Sequence, residues 1–432
     1  MSEGRDIRIE VPVLARVEGE GALELDIEQG RITDLKLRIF EPPRFFEKFV
    51  EGRACDDVID MVARICGICP VAYQMSAAQA FETLFEVDPG PWVRDMRRVM
   101  YCGEWLQSHS LHIHLLAAPD FLGFSNAIEM AEEYPDEVRR GLRLQTLGND
   151  LIALFGARSV HPVGLRVGGF YHAPARADVE AMRERLKAAL PEAEALIHWA
   201  ASLKLPDDHQ AFVSAGLRHP GEYAICAGGM ASDTGLDFDI SDWDEHVHEI
   251  HMPHSTALHA QLDGKLYLVG PLARLNLNRD RLPRETALLL QRTGISFPSD
   301  NMFHSLLARA LELHMVVLQA WQLLENYRQP NRPWADWEPR AGVAFGASEA
   351  PRGTLWHRYE VDRAGHVCGA RIVPPTSQNQ GRIEQDIARS LEGLGLEKNE
   401  EALRLRAETV IRNYDPCISC ATHFLRLDVR RR

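Results

Sequence analysis

Hydrophobic and polar residues follow two distinct periods along this chain of 432 residues. Between residues 7 and 40 they alternate one by one on either side of a Gln29-Gly30 turn, which predicts a small antiparallel sheet. Elsewhere apolar residues recur every three or four positions over lengths that suit helices. These helical segments cover residues 56–85, 93–118, 135–157, 175–202, 302–327 and 400–413. The pattern predicts a mainly α protein with small antiparallel β-sheets, an α+β fold.

Two further regions depart from helical spacing. Residues 203–274 are rich in Gly, His, Asp and Pro and contain strand-like pieces such as GEYAIC and KLYLVG, so we expect an irregular insertion there. Residues 355–359 and 366–373 predict a strand pair joined by a turn at Arg363-Ala364-Gly365. The sequence contains no repeat or flexible linker. We therefore expect one folded unit with an N-terminal sheet at about residues 5–40.

Composition and charge narrow the function class. With 45% hydrophobic and 25% charged residues, the chain is typical of a globular protein. Its formal net charge of −14 argues against a nucleic-acid partner, which needs a basic surface. The sequence has neither an apolar run of about 18 residues nor the apolar segment of an export signal. We expect a cytoplasmic protein with reduced thiols, in which four cysteines act as small hydrophobes: Cys55, Cys102, Cys226 and Cys368.

The other four cysteines form two Cys-x-x-Cys pairs near opposite ends of the chain. Cys66 and Cys69 lie in RICGIC, and Cys417 and Cys420 lie in DPCISCATH. Four such thiols can surround one metal centre. Their separation excludes a compact zinc ribbon, whose second pair follows within about 15 to 20 residues. Thiolates bind zinc, iron-sulfur clusters, copper(I) or nickel, so the sulfurs alone leave the metal open.

The flanks of these pairs are more specific. RxCGxCPxA near the N-terminus together with DPCxxCxxH near the C-terminus closely resembles the large subunit of [NiFe] hydrogenases, whose fold is a long helical bundle around a buried metal site. Further stretches match this family from one end of the chain to the other: RVEG (16–19), SHSLH (108–112), HP (161–162), GPLARLN (270–276) and EAPRGTLWH (349–357).

The resemblance implies a role for each thiol. Cys66 and Cys417 match the terminal thiolates on nickel, and Cys69 and Cys420 match those that bridge nickel to iron. In the family the iron also carries carbon monoxide and cyanide. Heterolytic cleavage of H2 needs a metal pair and a nearby base, and the thiolate of Cys417 can be that base. Glu18, in RVEG, matches the glutamate that then receives the proton.

Other residues are assigned to the surroundings of the metals by the same resemblance. Arg352 matches a guanidinium above the open metal position, while Pro351 and Thr376 match residues that pack against or hydrogen-bond the diatomic ligands of iron. His109 and His112 are expected to support the site through hydrogen bonds rather than to bind metal. A magnesium site is implied by three further matches: Glu47, His423 and the backbone carbonyl of Ile372.

Some features depart from the family pattern or stay open. Tyr73 stands where many relatives carry histidine, and Ser108 where many carry aspartate. These variants resemble the cytosolic branch linked to NAD(P) or sulfur reduction. The run HVHEIHMPH could bind metal through His246, His248, His251 and His254, but Pro253 and the acidic surroundings favour a loop.

The chain has no further cysteine cluster for electron transfer, so the resemblance implies an iron-sulfur small subunit, flavin-containing NAD(P) diaphorase subunits, nickel chaperones and a maturation protease. That protease is expected to remove residues 424–432 after His423. The reaction would be reversible cleavage of H2. Three alternatives stay open: a hydrogen-sensing subunit, a non-catalytic respiratory-complex subunit that lacks the thiols, and a structural zinc protein.

Overall fold

The computed structural model describes residues 6–423, and about half of this range is helical. A mainly α fold with small antiparallel sheets is thereby confirmed. The helices are α1 (Phe46–Phe49), α2 (Cys55–Val62), α3 (Pro70–Phe85), α4 (Gly90–Leu111), α5 (Ala118–Leu122), α6 (Ala127–Glu133), α7 (Pro135–Gly156), α8 (Arg176–Ser202), α9 (Trp243–His246), α10 (Pro271–Asn278), α11 (Arg284–Thr293), α12 (Ser305–Glu325), α13 (Pro375–Leu394), α14 (Glu400–Tyr414) and α15 (Ile418–Ala421).

Within residues 6–423 the strands form five small sheets in which every pairing is antiparallel. Their order is β1-β2-β3, β4-β5, β6-β7-β8, β10-β9 and β11-β12-β13. The strands are β1 (Ile7–Val11), β2 (Gly21–Glu28), β3 (Arg31–Ile39), β4 (Leu165–Arg166), β5 (Gly169–Phe170), β6 (Ala215–Arg218), β7 (Gly229–Ser232), β8 (Asp237–Phe238), β9 (Val247–His251), β10 (Leu258–Leu262), β11 (Gly342–Ala350), β12 (Gly353–Val361) and β13 (Val367–Val373).

The main core lies between long helices. Helix α4 packs on α7 and α12, and α12 packs on α8. The close approach of α4 and α7 depends on glycine, since a Cβ at Gly148 would lie 2.5 Å from the backbone nitrogen of Gln107. Within the described residues, no helix is long and apolar enough to cross a membrane. A second hydrophobic cluster joins the N-terminal sheet to α13 and α14.

Several local predictions need correction. The helix predicted over residues 56–85 is interrupted between α2 and α3, where Pro70 starts a new helix directly after Cys69. The predicted strand pair gains a third strand, β11, on the far side of β12. Neither GEYAIC nor KLYLVG is a strand: residues 221–226 form mainly bends, and residues 265–270 make only isolated bridges, through Lys265 and Leu268.

The β11-β12-β13 sheet packs against α3, which begins at the first cysteine pair. A Cβ at Gly346 would lie 2.0 Å from the backbone oxygen of Ser76, so only glycine allows this contact. The two-residue turn between β11 and β12, Pro351-Arg352, is therefore held at a fixed position relative to α3. We call this turn the hairpin tip.

Candidate metal centre

The fold brings the two cysteine pairs together. All four side chains are buried, and their Sγ atoms lie within 4.8 Å of one another. The Sγ atoms of Cys66 and Cys417 are 3.4 Å apart, those of Cys69 and Cys420 are 3.5 Å apart, and those of Cys417 and Cys420 are 2.8 Å apart. Each pair thus contributes sulfurs that face the other pair across a single small volume.

Each pair lies where a helix begins, and Cys420 is itself part of α15. Cys69 precedes α3 and Cys417 precedes α15, and neither has helical backbone angles. The backbone N–H groups of Ile68 and Cys69 both point at the Sγ of Cys66, at 3.3 Å. Such N–H groups at a helix start stabilise a thiolate. The sequence therefore presents the sulfurs at helix breaks, as the flanking prolines indicate.

The electrostatics of this cluster favour a bound cation. Hydrogen bonds from Cys417 and Cys420 lower the pKa of Cys66 well below its ordinary value. Burial and hydrogen bonding with Cys420, in contrast, raise the pKa of Cys417 well above its ordinary value. Four buried thiolates repel one another, and a soft divalent cation removes that penalty. The donor set therefore fits a thiolate-bound metal centre.

Arg352, on the hairpin tip, is 3% exposed and lies beside this cluster. Its Nε donates to the backbone oxygen of Asp415 at 2.7 Å, and its Nη2 donates to Asp415 Oδ1 at 2.9 Å. Burial lowers the pKa of Arg352, but Asp415 and the cysteine sulfurs more than compensate, so its pKa is raised. Its buried Nη1 has no hydrogen-bond partner among the described residues, which leaves one donor for a ligand.

A buried ion network holds the hairpin tip. Arg274 donates to the backbone oxygens of Ala350 (2.6 Å) and Pro351 (2.9 Å), and it pairs with Glu312 (2.8 Å) and Glu349 (3.1 Å). The three charged side chains of this network are 0% exposed. Sequence reasoning missed it, because its charges come from α10, α12 and β11 and no local motif links them.

His109 and His112, which we predicted to support the site, each make a buried hydrogen bond. His109 Nε2 lies 2.9 Å from Glu312 Oε2, so it joins the network that holds the hairpin tip. His112 Nε2 lies 2.8 Å from the backbone oxygen of Arg412. Burial lowers the pKa of His109 to about 4 and that of His112 to about 3, so both rings are neutral at neutral pH. Thr376 Oγ1, at the start of α13, accepts from the backbone N–H of Cys417 at 3.0 Å.

Glu18 lies next to the second cysteine pair. Its backbone forms an isolated parallel bridge with Cys417, and its Oε2 accepts from the backbone N–H of Ser419 at 3.1 Å. The following residue, Gly19, has φ +89°, and a Cβ there would lie 2.6 Å from the Cβ of Ile418. The glycine of RVEG is therefore needed for Glu18 to approach the cysteines.

A second group of possible ligands lies close to the cysteines. His423 Nε2 is 2.8 Å from the backbone oxygen of Ile372 and 3.5 Å from Glu47 Oε1, and its Nδ1 contacts the backbone oxygen of Cys420. The structure thus brings together the residues predicted for magnesium. The predicted cleavage of residues 424–432 concerns a segment outside the described residues.

Glu249, on β9, is a neighbour of this group that sequence reasoning missed. Burial raises its pKa to about 7, although Arg371 opposes this effect, and the charge of Glu47 adds to it. Its Oε2 lies 3.2 Å from Arg371 Nη2. A buried carboxylate with a raised pKa beside another carboxylate favours a cation there. The signal in the sequence was a glutamate within the histidine run.

The two departures from the family pattern are both buried. Burial raises the pKa of Tyr73 well above its ordinary value, and the charges of Cys420 and Cys69 contribute, so its ring lies close to the sulfurs. The hydroxyls of Tyr73 and Ser108 have no hydrogen-bond partner among residues 6–423. Tyr73 therefore places a polarisable O–H group at the metal centre where an imidazole is common.

The histidine run is not a loop, contrary to our expectation. Its residues 247–251 form β9, which pairs with β10 along its whole length and contains two residues that favour strands, Val247 and Ile250. His246 Nδ1 lies 3.0 Å from Asp263 Oδ1, and His254 Nε2 lies 2.8 Å from Glu384 Oε1. The run therefore does not gather its four histidines into one site.

Comparisons with known proteins agree with this geometry. The model of the family described as nickel-dependent hydrogenase matches residues 44–140 and 254–423. Sulfhydrogenase 1 subunit alpha of Pyrococcus furiosus is 31% identical, over 97% of this chain and 98% of that protein. NAD-reducing hydrogenase HoxS subunit beta of Cupriavidus necator is 27% identical, over 97% of this chain and 95% of its own length.

A solved structure gives the same result. The crystal structure of an NAD+-reducing [NiFe]-hydrogenase in the H2-reduced state superimposes with a TM-score of 0.87 at 26% identity, and the match covers 96% of this chain and 99% of that one. The family match includes both cysteine pairs and the hairpin tip. The chain belongs to the nickel-dependent hydrogenase family and is its large, catalytic subunit.

Proposed function

We propose that this chain holds a nickel-iron centre and cleaves H2 reversibly into two protons and two electrons. The observation that carries the proposal is the facing of the two sulfur pairs, Cys66 with Cys417 and Cys69 with Cys420. Cys66 and Cys417 would bind nickel terminally, and Cys69 and Cys420 would bridge nickel and iron. When bound, this metal pair, with carbon monoxide and cyanide on iron, supplies the redox chemistry at which H2 is split.

Proton transfer is the task of the side chains. The thiolate of Cys417 takes the proton and passes it to Glu18, which the isolated bridge to Cys417 holds in place. The next carboxylate outward from Glu18 is Glu41, since Ser419 contacts both: its backbone N–H donates to Glu18 and holds it, and its hydroxyl donates to Glu41 Oε1 at 3.0 Å. Glu41 is partly exposed, so the path leads toward solvent.

Arg352 orients the ligands of the metals. Two of its donors are fixed on Asp415, and its buried Nη1 has no hydrogen-bond partner among the described residues and remains available to a ligand. A planar, permanently charged guanidinium is suited to that task because it keeps its charge when buried. Pro351 packs beside it on the hairpin tip, and Thr376 fixes the backbone of Cys417.

Magnesium is proposed for the neighbouring oxygen-rich group. Glu47, the backbone oxygen of Ile372 and the imidazole of His423 are assembled there, with Glu249 close by. Hard cations prefer oxygen ligands. A divalent cation would neutralise the charges of the Glu47 and Glu249 carboxylates. It would also link His423, the last described residue, to β13 through the backbone oxygen of Ile372.

Electrons require partners, because the described residues hold one cluster of four cysteines and no second one. We propose an iron-sulfur small subunit and, beyond it, flavin-containing subunits that reduce NAD(P) or sulfur in the cytoplasm. The names of the relatives, sulfhydrogenase and NAD-reducing hydrogenase, support these acceptors. Nickel chaperones and a protease that removes residues 424–432 complete the proposal.

An infrared spectrum combined with metal analysis of the purified complex tests the function. We expect carbon monoxide and cyanide bands, one nickel per chain and H2 oxidation, all lost in Cys417→Ser. Cys368→Ser, which changes an exposed cysteine, is the matched control and should retain all three. Zinc in place of nickel, or an active wild-type protein without the diatomic bands, would refute the proposal.

A further inference from the structure

A third group of side chains with possible metal ligands is separate from the four cysteines and from the residues predicted for magnesium. His254, His259 and Glu384 place one ligand atom each within 4.8 Å of the others. They come from the connection between β9 and β10, from β10 itself and from α13. Only His254 belongs to the histidine run, and the other two ligands lie beyond it in the sequence.

The three side chains are oriented toward one point. His254 Nε2 lies 2.8 Å from Glu384 Oε1, and His259 Nδ1 lies 4.0 Å from Glu384 Oε2. A Cβ at Gly381, one turn before Glu384 on α13, would lie 3.7 Å from His259 Nδ1, so this nitrogen faces the helix. The two imidazole rings are nearly perpendicular at 88°, with centroids 5.7 Å apart.

The contacts and burial of Glu384 and His259 favour cation binding. Glu384 Oε1 also accepts from the backbone N–H of Leu37 at 2.9 Å, which fixes the carboxylate. His259 is 5% exposed, and its Nδ1 is the nitrogen that faces Glu384, while its buried Nε2 has no hydrogen-bond partner among the described residues. Burial and the neighbouring His254 lower the pKa of His259 to about 4, so the ring is neutral at neutral pH and a lone pair is available.

We propose that His254, His259 and Glu384 bind a divalent first-row cation such as Zn²⁺ with a water as fourth ligand. Two imidazoles and one carboxylate are an established donor set for zinc sites with an open position. Ligand atoms about 2.0 to 2.2 Å from zinc in a tetrahedron are roughly 3.4 Å apart. The distances of 2.8 and 4.0 Å bracket that value, so small side-chain rotations complete the site.

Such a cation would connect the β9-β10 hairpin to α13. Helix α13 also carries Thr376, which fixes the backbone of Cys417, so the site would stabilise the helix that supports the hydrogenase centre. It neither binds substrate nor contacts the four cysteines directly. The inference therefore stands or falls independently of the nickel-iron assignment.

Zinc analysis of the full-length protein, purified with its partner subunits, tests this site. After dialysis against a weak chelator and addition of one equivalent of Zn²⁺, we expect one zinc retained per chain. Zinc-edge X-ray absorption should show only nitrogen and oxygen neighbours at about 2.0 to 2.2 Å, whereas zinc on the cysteines would give sulfur at about 2.3 Å.

Four substitutions test the assignment. His259→Gln and Glu384→Gln should each weaken zinc binding by more than about tenfold, since losing even an outer partner of a metal ligand costs about 10- to 100-fold. His251→Gln, which changes an exposed strand histidine in the same hairpin, is the matched control and should bind zinc as the wild type does. His254→Gln repeats the test at the third ligand if either of the first two variants loses nickel or misfolds.

The proposal is overturned by any of three results: no zinc retained by the wild type, sulfur neighbours around the zinc, or equal loss in His251→Gln. Nickel content is measured in the same samples. Normal nickel without the extra zinc would refute this site alone, and zinc binding without nickel would instead count against the proposed hydrogenase centre.

Discussion

Replacing Glu312 with glutamine tests the network that holds the hairpin tip. The two carboxylate oxygens accept from Arg274 Nε (2.9 Å) and Nη2 (2.8 Å), from the Tyr223 hydroxyl (2.8 Å) and from His109 Nε2 (2.9 Å). A glutamine would turn one acceptor into a donor that faces other donors. Removing one charge from a buried pair costs about 3–5 kcal/mol, so we expect destabilisation of that order.

The pKa of Glu312 leads to a similar magnitude. Burial alone would raise it, but Arg274 reverses the effect and lowers the pKa from 4.5 to about 2. A shift of that size corresponds to on the order of 3 kcal/mol. Because the folded-state pKa is depressed, this stability is fully present above pH 4.5 and is lost as the pH falls from 4.5 toward 2.

Heat unfolding of the purified complex measures this effect. With about 2.1 cal/mol/K of unfolding entropy per residue, 3 kcal/mol lowers the midpoint of the chain by roughly 3 °C at pH 7. At pH 3.5 the difference between wild type and variant should shrink by roughly a third to a half. Glu325→Gln is the control, since its carboxylate pairs with Arg183 at 2.7 Å but is 58% exposed. An unchanged midpoint for Glu312→Gln at pH 7 would refute the reasoning.

Three further predictions concern the metal centres. Glu18→Gln should lower the rate of H2 oxidation by about 100-fold or more while nickel is retained. The control Glu20→Gln changes an exposed residue and should leave the rate unchanged. Equal rates of H2 oxidation in the two variants would exclude Glu18 from proton transfer. Tyr73→Phe should shift the infrared bands of the diatomic ligands because a hydroxyl beside Cys420 is lost, and unshifted bands would place that hydroxyl away from the metals. The pKa of Glu249 is raised to about 7, so in metal-free protein the folded state retains a proton that the unfolded state loses, and the stability should fall as the pH rises from 4.5 to 7. Heat unfolding in the presence of Mg²⁺ should not show this pH dependence. A pH dependence that neither Mg²⁺ nor Glu249→Gln changes would contradict the prediction.

Predictions from sequence succeeded where one period or one motif dominates. The long helices α4, α7, α8 and α12 follow apolar spacing closely, because each buries a continuous apolar face. Helix α13 was missed because its buried face is largely polar, with Thr376, Gln378 and Asp386 among the buried residues. Periodicity methods detect apolar faces, whereas α13 is held by hydrogen bonds such as that from Gln378 Nε2 to the backbone oxygen of Thr354.

At the candidate site too, sequence predicted the residues of local motifs and missed those that depend on tertiary contacts. The four cysteines could be assigned from sequence because their spacing and flanking prolines are local signals. Arg274, Glu312 and Glu249 could not, because each depends on a partner brought near by tertiary packing. Their charges resemble ordinary surface charges in the sequence, and only the complete burial of Arg274 and Glu312 and the pairing of half-buried Glu249 with Arg371 show a structural reason for them.

The distribution of ligands along the chain also constrains how the centre forms. The second cysteine pair packs against residues from the N-terminal region, since Arg44 Nη2 donates to the backbone oxygen of Ile65 at 2.6 Å and also contacts that of Ser419. The backbone N–H of Phe46 donates to the oxygen of His423 at 2.8 Å. The four sulfurs can therefore meet only after both ends of the chain have folded against each other. Buried thiolates without a metal cost free energy, so the packing of the two chain ends and the bound metals must stabilise each other. Removing the metals should loosen that packing, and disrupting the packing should release the metals.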